Sequence, residues 1–120
     1  MKNKFKDLVR THINVELSSS CQATNVFITG MNIDPERIRA VEVIKNGIPC
    51  NVTWYCDFSD QGISTITAIT ITGSYNIGYG GEGPSTLFMH MEKLGFINDI
   101  TREALENLVF RNTERFYFEK

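Results

Sequence analysis

Through the first half of this chain apolar residues alternate with polar ones. In the second half they recur every three to four residues, so strands are predicted first and helices after them. Ile13, Val15 and Leu17 alternate with polar neighbours, the period of a half-buried strand. Before them, Phe5, Leu8 and Val9 fall at helical spacing, as one short amphipathic turn or a loose start that docks by its apolar residues. Ser18-Ser19-Ser20 is a turn-forming cluster, and Val26-Phe27-Ile28 reads as a second strand ending near Gly30. Asp34-Pro35-Glu36-Arg37 signals a turn, or one helical turn with Asp34 as cap and Pro35 at its first position.

Asn46-Gly47 supplies two residues tolerant of positive φ, as a type I′ turn requires, so residues 39–45 and 48–58 are predicted to form a hairpin. Pro49 lacks a ladder donor and belongs at a strand start or an edge. The run Ile63–Thr72 is rich in β-branched residues, but its alternation changes phase: Ile63, Ile69 and Ile71 share one parity, Ile66 and Ala68 the other. A bulge near Ala68 explains this, or cover on both faces, which in so small a chain points to a partner subunit.

From Pro84 to Leu94, the residues Leu87, Phe88, Met91 and Leu94 form one apolar helix face, stopped by Gly95 with Phe96 placed for the accompanying contact. Thr101 reads as the N-cap of a second helix, with Ile100 and Leu105 positioned as a hydrophobic staple and Leu105, Leu108 and Val109 as its stripe. The tail from Arg111 to Phe118 resumes alternation and adds a possible last strand. The predicted fold is α+β: one domain over residues 1–120, with a meander-like antiparallel N-terminal sheet of about five strands, two C-terminal helices and that terminal strand.

Between the β-rich half and the first helix lies Gly78-Tyr79-Gly80-Gly81-Glu82-Gly83-Pro84-Ser85-Thr86, with four glycines. A glycine turn running into a helix start leaves backbone N–H groups aimed one way, which favours an anion such as phosphate. Tyr79 offers a ring for a base. Glu82 opposes a phosphate placed beside it but suits ribose hydroxyls. The spacing is neither that of a Walker loop nor a dinucleotide fingerprint, and the bland reading is a strand-to-helix connection without ligand.

Composition narrows the function classes. The chain has 42% hydrophobic and 22% charged residues, ordinary for a globular protein, and no apolar run long enough to span a membrane. The basic start, Lys2, Lys4 and Lys6, is followed by Asp7, Arg10 and His12, which does not fit a secretory signal, so a cytoplasmic location is expected. A net charge of −2 argues against a general nucleic-acid binder. Cys21, Cys50 and Cys56 make no Cys-x-x-Cys pair and are expected as free, buried or partly buried thiols. His12 and His90 lie in different elements, and His90, between Met89 and Met91, is expected exposed or half-buried. No metal spacing, cofactor motif or nucleophile–base pattern emerges, so an enzyme is not expected. Arg111 and Arg115, followed at once by aromatic residues, are the strongest phosphate-clamp candidates.

With its N-terminal sheet, its Gly-Tyr-Gly-Gly-Glu-Gly-Pro turn and its two C-terminal helices, the chain resembles the first-described type of phage anti-defence sponge protein that counters Thoeris immunity. The matching feature runs from Ile71 to Phe96, roughly a fifth of the chain. The resemblance implies binding without chemistry: sequestration of a cyclic ADP-ribose isomer made by bacterial TIR-domain enzymes, with cyclic oligonucleotides bound in separate pockets by some members. It implies that Gly80, Gly81, Gly83, Ser85 and Thr86 give donors to phosphate, that Tyr79 or a tail aromatic stacks the adenine, and that Arg111 or Arg115 clamps the pyrophosphate. Tight retention of such a ligand calls for an enclosed site, which favours a homo-oligomer in the host cytoplasm. The competing expectation is a protein-interaction module, such as an immunity protein or a phage inhibitor of a host protein.

Overall fold

The computed structural model describes residues 2–17, 21–45, 50–112 and 114–120, with Cys21 described by its backbone alone. After a 3-10 turn at Lys6–Leu8, the elements are β1 (Val9–Glu16), α1 (Cys21–Gly30), β2 (Ile38–Ile44), β3 (Asn51–Asp57), β4 (Ile66–Thr72), α2 (Glu82–Lys93), α3 (Arg102–Phe110) and β5 (Phe116–Glu119). They form a five-stranded mixed sheet in the order β1-β4-β3-β2-β5 with three helices.

The α+β class and the β2-β3-β4 meander follow the sequence pattern, but the sheet is not purely antiparallel. β1 runs parallel to β4, with Ile13 beside Ile69 and Val15 beside Ile71. The reason is α1, which carries the chain from β1 to the fourth position of the sheet, so that the meander returns to β1 in the same direction. The stretch expected as a second strand at Val26–Ile28 is the middle of that helix. Three β-prone residues misled the short window. Thr24, Phe27, Ile28 and Met31 fall at i, i+3, i+4 and i+7 and point inward, while Val26 is 65% exposed.

The hairpin strands pair antiparallel from Ile38–Cys56 to Ile44–Asn51, while its turn at Asn46–Pro49 lies outside the described residues, as does the Ser18–Ser20 cluster. β4 starts at Ile66 rather than Ile63 because Asp60 and Ile63 close a tight turn through Gln61 and Gly62, both at positive φ. β4 has no bulge against β3; the irregularity lies in β1, between Val9 and Thr11. The phase change in β4 reflects cover on both faces. Ile69 and Ile71 face the helices, while Ile66 and Ala68 join Ala40 and Tyr55 under Phe5, whose ring stacks on Tyr55 at 6.2 Å. The chain's own N-terminal segment provides this cover.

The main core fills the helix side: Val41, Val52, Trp54 and Ile71 from the sheet meet Leu87, Met91, Leu105 and Val109. At Pro35 the expected helical turn forms, with the Asp34 carboxylate accepting from the Glu36 N–H. At the other end of α2, Gly95 takes φ +85° and the buried Phe96 donates its N–H to Met91 O at 2.9 Å, as the glycine stop requires. The staple at α3 is not made: Ile100 is 93% exposed. Thr101 stands at the N-cap position, but its hydroxyl accepts from the Asn98 N–H, and Asn98 Oδ1 accepts from the Ile100 and Thr101 N–H groups. The tail strand forms as expected, β5 pairing antiparallel with β2. Among the described residues no helix is long and apolar enough to cross a membrane.

Candidate functional site

The glycine turn is fixed at both ends. Gly78, at φ +90°, donates its N–H to Val109 O at 2.8 Å, docking the turn on the last turn of α3. Lys45 donates to Ile77 O at 2.8 Å and holds its ammonium 6.0 Å from the centre of the Tyr79 ring. That ring lies over Gly81, where a Cβ would collide with it. At Gly83 a Cβ would stand 2.9 Å from the Asn76 Cβ. Close packing therefore accounts for Gly81 and Gly83, and positive φ for Gly78, while a Cβ at Gly80 would meet open space.

The helix beyond starts two residues earlier than expected. Pro84 is its third residue rather than its first, and so removes a donor from the first turn. Glu82 opens the helix and brings its own negative charge to the positive end of the dipole. The Ser85 N–H is committed to Gly81 O at 3.0 Å, with Ser85 itself exposed, and Thr86 is buried.

The two arginines separate. Arg111 is exposed at the C-cap of α3, the helix end on which the turn docks. Arg115 instead lines a cleft of about 620 Å³ between the N-terminal segment, the end of α3 and β5, which the glycine turn does not enter. Lys2 and Lys6 enter this cleft from one end of the chain and Arg115 and Tyr117 from the other, with Asp7 and Glu42 also on its wall. Asn3 ties the segment down, donating to Glu42 at 3.1 Å and to the Tyr55 hydroxyl at 3.0 Å. Burial first, and then the Glu119 carboxylate, push the Tyr117 phenol well above its ordinary pKa, so its ring stays neutral. Sequence reasoning did not assign Lys2, Lys6 or Glu42 to a site. The available signal was the basic start with Phe5 inside it.

A second, smaller cleft of about 430 Å³ continues along the helix-free face. Sheet register lines up Tyr117, Glu42, Thr53, Thr70 and Asn14 in one row across all five strands. Thr70 links to Thr53 and to the His12 ring, each at 2.8 Å. The face is thus a polar, hydrogen-bonding floor, with Glu42 in its row, beside the cleft that holds Lys2, Lys6 and Arg115.

The second histidine and two of the cysteines are buried. His90 is enclosed rather than exposed, its Nδ1 2.8 Å from the Tyr75 hydroxyl and its Nε2 3.3 Å from Asn25 Oδ1. Burial, then the charge of Lys93, lowers its pKa to about 4. Cys50 and Cys56 are free, buried thiols, as expected, with Cys56 pushed up to about 11 by burial. Neither has the electropositive, accessible setting of a reactive thiol. Among the described residues no three His, Cys, Asp or Glu side chains gather in a group that holds a metal. The chain matches no family model, and no curated protein and no solved structure is similar to it.

Proposed function

We propose that this protein binds and retains a small phosphate-bearing ligand of the cyclic-nucleotide class and acts by sequestration, without chemistry. The observation that carries this reading is the meeting of Lys2, Lys6 and Arg115 beside Tyr117 in a cleft of about 620 Å³. That volume falls in the range of small-molecule sites. An arginine fork holds a phosphate through two parallel hydrogen bonds, and lysines add point charge. The neutral Tyr117 ring offers a stacking surface for a base. Three cations against two carboxylates, one of them bonded to Asn3, give the cleft a positive balance in a chain of net charge −2.

The sponge resemblance supplies the biological sense of such binding: withdrawal of a cyclic ADP-ribose isomer, or a cyclic oligonucleotide, from bacterial anti-phage defence. In this reading Arg115 is the clamp and Tyr117 the stacking ring. Tyr79, Gly80, Gly81, Glu82, Gly83, Ser85, Thr86 and Arg111 form the competing location.

Calorimetry with cyclic ADP-ribose isomers and cyclic dinucleotides tests this. Wild-type protein is expected to bind one of them, Arg115→Ala to bind at least about tenfold more weakly, and Tyr79→Ala to bind within about twofold of wild type. Loss through Tyr79→Ala alone transfers the site to the glycine turn. Wild-type protein that binds none of these compounds overturns the reading.

A further inference from the structure

The two clefts of the helix-free face share a wall. Lys6 and Glu42 line both, so the cation-bearing cleft and the smaller one adjoin at these two side chains. Strands in a sheet lie about 4.8 Å apart, which puts Thr70, three strands from β5, about 14 Å from Tyr117 along the polar row. That is farther than a single nucleoside reaches.

The smaller cleft differs in chemistry from its neighbour. Beyond Lys6 and Glu42 its lining is uncharged, His12 aside. Thr53 and Thr70 lie half-buried in it with their hydroxyl oxygens 2.8 Å apart, and the His12 Nε2 is 2.8 Å from the Thr70 hydroxyl. A hydroxyl donates once and accepts twice. Where the protons run from His12 through Thr70 to Thr53, the Thr53 O–H is left over to donate. Where they run the other way, the Thr53 lone pairs are left to accept. A sugar hydroxyl both donates and accepts and satisfies either arrangement, whereas a phosphate oxygen only accepts.

Glu42 stands where the clefts meet. Asn3 donates to its Oε2 at 3.1 Å, and a carboxylate has two oxygens with about four acceptor positions between them. The remaining positions suit paired hydroxyls, as an acidic residue serves a ribose in dinucleotide sites.

We infer that one ligand with two sugars lies across both clefts, its phosphates among Lys2, Lys6 and Arg115, one nucleoside against Tyr117, and the hydroxyls of its second sugar on Glu42 and the Thr53–Thr70 floor. This rests on the phosphate reading of the first cleft and adds what selects the ligand there. Cyclic ADP-ribose isomers and cyclic dinucleotides carry two sugars bridged by phosphate; a mononucleotide carries one. It also gives a reason for a carboxylate beside the cations: Glu42 holds the sugar.

Calorimetry with cyclic ADP-ribose isomers and cyclic diadenylate tests the floor through the sign of one effect. Glu42→Gln keeps an acceptor for Asn3 and removes a negative charge from the cleft. A site for phosphate alone binds more tightly after that change, whereas a site in which Glu42 accepts sugar hydroxyls is expected to bind about tenfold more weakly. Thr70→Val, which keeps the shape and loses the hydroxyl, is expected to weaken binding about fivefold, and Thr70→Ser to stay within about twofold of wild type. Circular dichroism confirms that each variant is folded. Unchanged or tighter binding by Glu42→Gln, wild-type affinity in Thr70→Val, or equal losses in Thr70→Val and Thr70→Ser overturns the sugar floor; if Arg115→Ala still weakens binding, the phosphate cleft stands without it. Wild-type protein that binds none of these compounds overturns both.

Discussion

On the helix side of the sheet, Val41, Val52, Trp54 and Ile71 are fully buried beneath Leu87, Met91, Leu105 and Val109. On the opposite side Ala40 and Ala68 are small, Thr53 and Thr70 are half-buried and hydrogen-bonded, and the cover is the N-terminal segment anchored by Phe5 and Asn3. The same strands supply both sets through simple alternation. The filled side supplies most of the stability, and the thinly covered side keeps the clefts and the convergent cations. In the proposed reading, stability and binding are thereby separated by the thickness of one sheet.

Substitutions on the two sides are expected to differ most in folding stability. Leu87→Ala opens a cavity in the main core and is expected to cost about 3 kcal/mol in urea unfolding, while Thr70→Val on the open side costs under about 1 kcal/mol. Equal costs break the comparison. Phe5→Ala tests the thin cover directly. It is expected to cost about 2 kcal/mol and, by loosening the segment that bears Lys2 and Lys6, to weaken ligand binding as well. Leu87→Ala, once refolded, should leave binding nearly unchanged.

Acid acts on the filled side. His90 has a folded pKa of about 4, below its ordinary 6.5, so its neutral form is the one the core accepts. Its contribution is fully present above pH 6.5 and is lost as pH falls towards 4, because the unfolded chain takes up the proton first. Thermal stability is expected to fall as pH drops through that window, by an amount on the order of 2 kcal/mol, and His90→Gln to flatten the dependence. A pH profile identical in His90→Gln and wild type contradicts the assignment. The smallest expected effect separates two glycines of the turn. Gly83→Ala forces Asn76 aside and is expected to cost about 1–2 kcal/mol in stability, whereas Gly80→Ala, facing open space without positive φ, changes it by under about 0.5 kcal/mol.

The strands of the meander were legible because β-branched runs and the Asn-Gly pair are local signals. The parallel pairing of β1 with β4 was not, since it depends on where α1 delivers the chain. His90 shows a signal present but unread: it occupies the i+3 place in the stripe Leu87, Met91 and Leu94, the stripe that becomes the core. At Gly81 and Gly83 the sequence marks a close approach without saying to what, and the structure packs Tyr79 and Asn76 there. Arg115 was visible as a candidate. Its companions Lys2 and Lys6 were not, because they come from the far end of the chain and meet it only through folding.

Amide chemical-shift mapping during titration with a cyclic ADP-ribose isomer or a cyclic dinucleotide tests the central claim most directly. The largest changes are expected at Lys2, Lys6, Glu42, Arg115 and Tyr117, on the thinly covered side of the sheet. Changes confined to residues 78–86, or none with any of these ligands, contradict it.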